Sequence, residues 1–179
     1  MKFSRFLVPL LALLAGTSCE YGQLTEAQPT CEDMQVACEQ FVEVHFHYGF
    51  KNELDTFELT YQKDLVGDGV ISTDFWFTTD EQEELLAKVE QYNFYLLPDT
   101  IKQREHVIVK PDAGWQFLRI KQGDRNHTVS WYNLVSWYYP QPEYEEYIPD
   151  LRALHDYITE LIESKCAYQL LPPARGGYV

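Results

Sequence analysis

The sequence predicts an α+β domain: an antiparallel β-sheet of hairpins with two helices packed on one face. Three observations predict it. Segment 41–50, FVEVHFHYGF, alternates with period two, putting Val42, Val44, Phe46, Tyr48 and Phe50 on one side and Glu43, His45 and His47 on the other. Val66-Gly67-Asp68-Gly69 is a hairpin turn signal between two further alternating runs. Two later segments switch to a helical period, and their apolar stripes need a sheet to bury them.

Each element follows in chain order. The first strand is segment 41–50. Segment 55–65 reads as the second, with Phe57, Leu59 and Tyr61 on one face, and the chain returns after the turn through Ile71, Thr73, Phe75 and Phe77. Phe57, Leu59, Tyr61, Phe75 and Phe77 are expected to form one buried face beneath both helices. Thr79 before Asp80, Glu81 and Gln82 reads as a capping box, with acids at the positive helix end. Leu85, Leu86 and Val89 then carry the stripe, and Pro98 marks the exit. Three strand candidates follow, HVIVK at 106–110, WQFLRIKQ at 115–122 and HTVSWYN at 127–133. Pro111-Asp112-Ala113-Gly114 and Gly123-Asp124-Arg125-Asn126 join them as turns. Pro140, Pro142 and Pro149 forbid a continuous helix through YYPQPEYEEYIP. The last element runs from about Asp150 to Lys165, striped by Leu151, Leu154, Ile158, Leu161 and Ile162.

Ahead of this domain lies an export signal. Lys2 and Arg5 precede an apolar run from Phe6 to Gly16, and small residues lead on to Cys19, the pattern of a secretory signal peptide. The run is shorter than the ~20 apolar residues that span a bilayer. Gly16-Thr17-Ser18-Cys19 resembles the lipobox of bacterial lipoproteins, with Gly16 where leucine is commoner. That resemblance implies cleavage before Cys19, acylation of its sulfur, and membrane attachment through it; ordinary cleavage, leaving a secreted or periplasmic protein, is the alternative. Residues 1–18 are thus the expected signal peptide, 19–30 a polar tether, and 31–179 a single domain.

Composition narrows the function. The full chain carries 28 acids against 14 bases, a net charge of −14; without the leader it is 12 bases against 28 acids, or −16. Nucleic acid and electrostatic docking on anionic lipid are therefore excluded as expectations. Hydrophobic content of 45% and aromatic content of 15% exclude a disordered chain. With Cys19 acylated, Cys31, Cys38 and Cys166 remain, so at most one intramolecular disulfide forms. Cys31–Cys38 is one possible pair, and Cys166 is a rival partner for either. Against the first pair, Cys31, Met34, Cys38 and Phe41 fall at helical spacing, which would hold those two sulfurs too far apart.

The hairpin FKNELDTFELTYQKDLVGDG and the ending IESKCAYQLLPPARGGYV resemble a group of exported bacterial proteins of unknown function with a Leu-Pro/Arg-Gly-Gly-Tyr tail. The resemblance implies export and a compact α+β domain, and it implies no activity.

Few residues offer chemistry. His45 and His47 stand on one strand face, an arrangement suited to a shared metal; Glu43 is on the same face, and His106 or His127 would have to join from elsewhere. Against that stands a merely polar sheet face. Asp64 and Asp68 around Gly67 lack the ligand ladder of a calcium loop. No nucleophile elbow, zinc-protease helix motif, phosphate loop or C-x-x-C is present. Acids between Glu143 and Glu163 face only Arg152, as a solvated surface would. Trp131, Trp137, Tyr138 and Tyr139 cluster, and exposed rings there would stack on sugars or a protein partner. The tail LPPARGGYV is either a loose terminus or packs Tyr178 back onto the domain.

The expectation is a lipid-anchored envelope protein, a non-catalytic binding module without a cofactor, whose partner is an envelope protein or a glycan. A metal enzyme using His45 and His47, and a glycan-binding surface of tryptophan and tyrosine, are the alternatives.

Overall fold

The computed structural model describes residues 42–108, 110–133 and 135–179. The expected signal peptide and tether, Cys19, Cys31 and Cys38 lie outside the described residues.

Among the described residues seven strands form one sheet: β1 (Val42–Tyr48), β2 (Asn52–Asp55), β3 (Thr60–Asp64), β4 (Val70–Asp74), β5 (Thr100–Ile101), β6 (Trp115–Gln122) and β7 (Arg125–Tyr132). Their order is β4-β3-β2-β1-β6-β7-β5. Every pairing is antiparallel except the two-residue β5, which runs parallel to β7. Two long helices, α1 (Thr79–Gln91) and α3 (Ile148–Ser164), make the fold α+β. The short helices α2 (Val135–Tyr138) and α4 (Cys166–Gln169) flank α3 in sequence.

The alternation of β1 does what its pattern predicts. Val42, Val44, Phe46 and Tyr48 are buried, as are Leu118 and Ile120 of β6 and Val129 and Trp131 of β7. Leu85 and Val89 of α1 and Leu151, Leu154, Ile158 and Ile162 of α3 complete the same core. Where phenols enter it they satisfy each other: the hydroxyls of Tyr48 and Tyr61 lie 2.9 Å apart, and burial raises the pKa of both.

The hairpin differs from expectation in one respect. Segment 55–65 is not one strand, because β2 ends at Asp55, whose carboxylate accepts the backbone N–H groups of Phe57 and Glu58 and turns the chain. Leu59 takes a positive φ of 55° in that turn. Tyr61, Phe75 and Phe77 are buried as expected, whereas Phe57 goes to the other side of the sheet, 4.7 Å from the Arg119 guanidinium. The turn also allows Thr56 to reach back, its hydroxyl accepting from Val44 N at 2.7 Å.

The helix cap lies one residue earlier than the sequence suggests. Thr78 is the N-cap and Glu81 the N3 partner, each side chain bonded to the other's backbone N–H. Gln82, the partner that Thr79 would have needed, is buried and bonds Phe77 O and Val42 N. The described residues of HVIVK, 106–108 and 110, belong to no strand either. The outer edge of β7 is already taken by β5, His106 adopts a φ of 65°, and Ile108 is 82% exposed.

The tail packs back. Gly67 N–H donates to Arg175 O at 3.1 Å and Arg175 N–H to Leu65 O at 3.2 Å. A Cβ on Gly67 would stand 3.2 Å from that Arg175 oxygen, so a larger residue there would push the tail back by a few tenths of an ångström. Tyr178 stacks on Phe50 at 3.7 Å and donates its hydroxyl to Asp64 at 2.8 Å. The Asp64 carboxylate is thereby spent on the turn and the tail.

Candidate functional site: an arginine and tryptophan cleft

The two constellations named from sequence are built differently. His45 and His47 do share a face, but each serves a different partner. His45 Nε2 lies 2.6 Å from Glu53 Oε1, His47 Nδ1 lies 3.2 Å from the Trp115 carbonyl, and Glu43 pairs with Lys121. His106 is an exposed turn residue and His127 bonds Leu97 O, so neither meets the pair. Among the described residues no group of three or more His, Cys, Asp or Glu side chains is placed to hold a metal.

The aromatic cluster divides. Trp131 is wholly buried and donates Nε1 to Gln116 Oε1 at 2.8 Å, so it belongs to the core. Tyr139 is exposed, and its carbonyl accepts from Arg104 N–H at 2.8 Å. Trp137 and Tyr138, 7% and 66% exposed, line a cleft of about 320 Å³ with Arg104, Glu145, Pro149 and Arg152.

The proline pattern builds this cleft. Pro140 and Pro142 stop α2 and feed a 3₁₀ turn over Pro142–Tyr147, after which Pro149 sits in the first turn of α3, where a missing N–H costs nothing. A short clasp holds the opposite wall: Arg104 N–H bonds Tyr139 O, Gln141 N–H bonds Lys102 O, and Arg104 Nε reaches Pro140 O at 2.9 Å. The Arg104 fork then meets Glu145 at 2.7 Å.

Arg152 is placed otherwise. Its guanidinium lies 5.6 Å from the Trp137 ring and 5.3 Å from the Tyr138 ring, and Nη2 donates to Trp137 O at 3.3 Å. No described ion pair gives it a carboxylate. Its Nε and the Trp137 Nε1 are buried without a hydrogen-bond partner. Two orphan donors beside one cleft are costly, each worth about 1–3 kcal/mol of lost hydration. Behind them His155 meets Trp137 edge to face at 4.5 Å. Burial holds its pKa below the ordinary histidine value despite Asp156 at 3.0 Å.

A second cavity on the far side of the 3₁₀ turn is lined by Asn93, Leu97, Glu146 and Asp150 and holds no base. The first cleft is the better site. Neither Arg104 nor Arg152 was named from sequence as a site residue. The one available signal was that Arg152 is the lone base in an acidic stretch, just inside a helix that follows a proline-broken aromatic run.

Cys166, which opens α4, is disulfide-bonded, and the chain's other cysteines lie outside the described residues. No described helix is long and apolar enough to cross a membrane. No protein-family model matches this chain, and no curated protein matches it.

Proposed function

We propose that this chain is a lipid-anchored cell-envelope protein, held to the membrane through Cys19, and that it acts as a non-catalytic binding module whose ligand surface is the cleft of Trp137, Tyr138 and Arg152. One observation carries the reading: Arg152 and Trp137, whose Nε and Nε1 are buried without a partner, both line an open cleft with the exposed Tyr138 ring at its rim. A fold tolerates unsatisfied donors where a ligand completes them. The disulfide at Cys166 supports export, since such bonds persist in oxidising compartments. The ligand is an envelope component, glycan or protein, and the exposed Tyr138 ring favours the glycan. The alternative of a metal enzyme has less support, because His45 and His47 are engaged by separate partners.

Binding of the purified Cys19→Ser protein to isolated envelopes tests this. The expected result is saturable binding that Tyr138→Ala together with Arg152→Gln reduces at least tenfold at unchanged far-UV circular dichroism. Equal binding by both proteins, or no saturable binding, would overturn the reading.

A further inference from the structure

Building on that reading of the cleft, we propose that its ligand is a carboxylated sugar carrying one negative charge at the site, of the uronic acid type. Of the two arginines lining the cleft, Arg104 is already neutralised by Glu145, and Arg152 has no carboxylate among the described ion pairs. Among the lining residues one positive charge, that of Arg152, is therefore left without an ion-pair partner. The start of α3, whose Ile148 and Pro149 also line it, carries Asp150 in its first turn and so adds no further positive charge.

The donor set asks for an anion rather than a neutral group. Trp137 O takes one of the five N–H donors of Arg152, while the buried Nε and the buried Nε1 of Trp137 have no partner, so what a ligand in the cleft meets is the unpaired charge of Arg152. A carboxylate matches a guanidinium in plane and charge, and such bonds are roughly twice as strong as neutral ones. The net charge of −14 then limits the ligand. A nucleic acid or a poly-acidic peptide would bring many charges against that field, whereas a single carboxylate brings one.

The rest of the cleft selects the carrier. Tyr138 presents an exposed ring next to Arg152, and a pyranose offers a C–H face to lie on it while its ring carboxylate reaches sideways. A volume of about 320 Å³ is at the bottom of the range for small-molecule sites, suited to a sugar unit or two.

Isothermal titration of the full Cys19→Ser chain tests the assignment with three probes: a disaccharide of glucuronic acid linked to glucose, the neutral disaccharide of two glucoses with the same linkage, and a tri-glutamate peptide. The acidic disaccharide is expected to bind at least tenfold more tightly than its neutral counterpart and than the peptide. Arg152→Gln should reduce that preference to about twofold or less, and Tyr138→Ala, at an exposed position, should weaken both sugars together. Equal affinity for the two sugars, a preference unchanged in Arg152→Gln, tighter binding of the peptide, or no binding of the acidic disaccharide would each overturn the carboxylated-sugar assignment. If the envelope assay above still shows saturable binding that depends on Tyr138 and Arg152, the binding-module reading survives that failure; if it does not, both fall.

Discussion

Arg152 donates a hydrogen bond to the carbonyl of Trp137 at 3.3 Å while its guanidinium lies 5.6 Å from the indole of that same residue. The pair is a local clamp between α2 and the first turns of α3, and it leaves Arg152 Nε buried and unpartnered. A buried donor without a partner contributes nothing to the fold that its removal would forfeit.

Replacing that arginine should therefore cost the fold little. Arg152→Met retains the apolar stem and removes the orphan donor, so stability should change by under about 1 kcal/mol in either direction. Urea unfolding checks this. A loss above about 2 kcal/mol would mean that Arg152 is structural.

The hairpin correction has its own test. Phe75 is 2% exposed and meets Phe77 edge to face at 5.3 Å, so Phe75→Ala should cost about 3–5 kcal/mol. Phe57, half-buried on the opposite side of the sheet against Arg119, should cost under about 1.5 kcal/mol as Phe57→Ala. Similar losses at both positions would contradict the placement of Phe57.

His155 gives stability a pH dependence. Its imidazole is packed against Phe46, Trp131 and Trp137, and burial lowers its pKa from the ordinary 6.5, despite Asp156 and helped by the nearby Arg152. On acidification below about pH 6.5 the unfolded chain takes up a proton that the folded chain refuses. Stability tied to His155 is thus present above that pH and lost as the pH falls toward the folded pKa. The melting temperature should drop between about pH 7 and pH 5.5, and the drop should be smaller in His155→Gln. Equal slopes in the two proteins would show that His155 does not titrate abnormally.

The comparison of sequence with structure divides along one physical line. Period and polarity were enough for β1, β6, β7 and both long helices, because each buries one face and advertises it. What alternation could not convey was the Asp55 side chain ending β2, or the occupation of the edge of β7 by a two-residue β5 that leaves HVIVK no strand to join. Those outcomes depend on single hydrogen bonds and on which edge is free, and neither is periodic. Half of the cleft was legible for a similar reason. Trp137 and Tyr138 announced themselves as aromatics, whereas Arg104 arrives from a loop some thirty residues away, its N–H bonded to Tyr139 O and the neighbouring Lys102 O accepting from Gln141 N–H.

The proposed envelope ligand requires a cleft that lies outside the cytoplasm on a chain held to a membrane by Cys19. Mass spectrometry of the mature protein, purified from membranes and digested without reduction, tests it most directly. The account predicts that the chain begins at an acylated Cys19, since acyl chains gain about 0.8 kcal/mol per buried methylene and several on one residue give stable attachment. It then requires Cys166 to be linked to Cys31 or Cys38, because an acylated sulfur cannot also form the disulfide. Cys19→Ser should release the protein to the soluble fraction with its fold intact. A wild-type chain whose Cys19 carries a free thiol, or is itself the partner of Cys166, would contradict it.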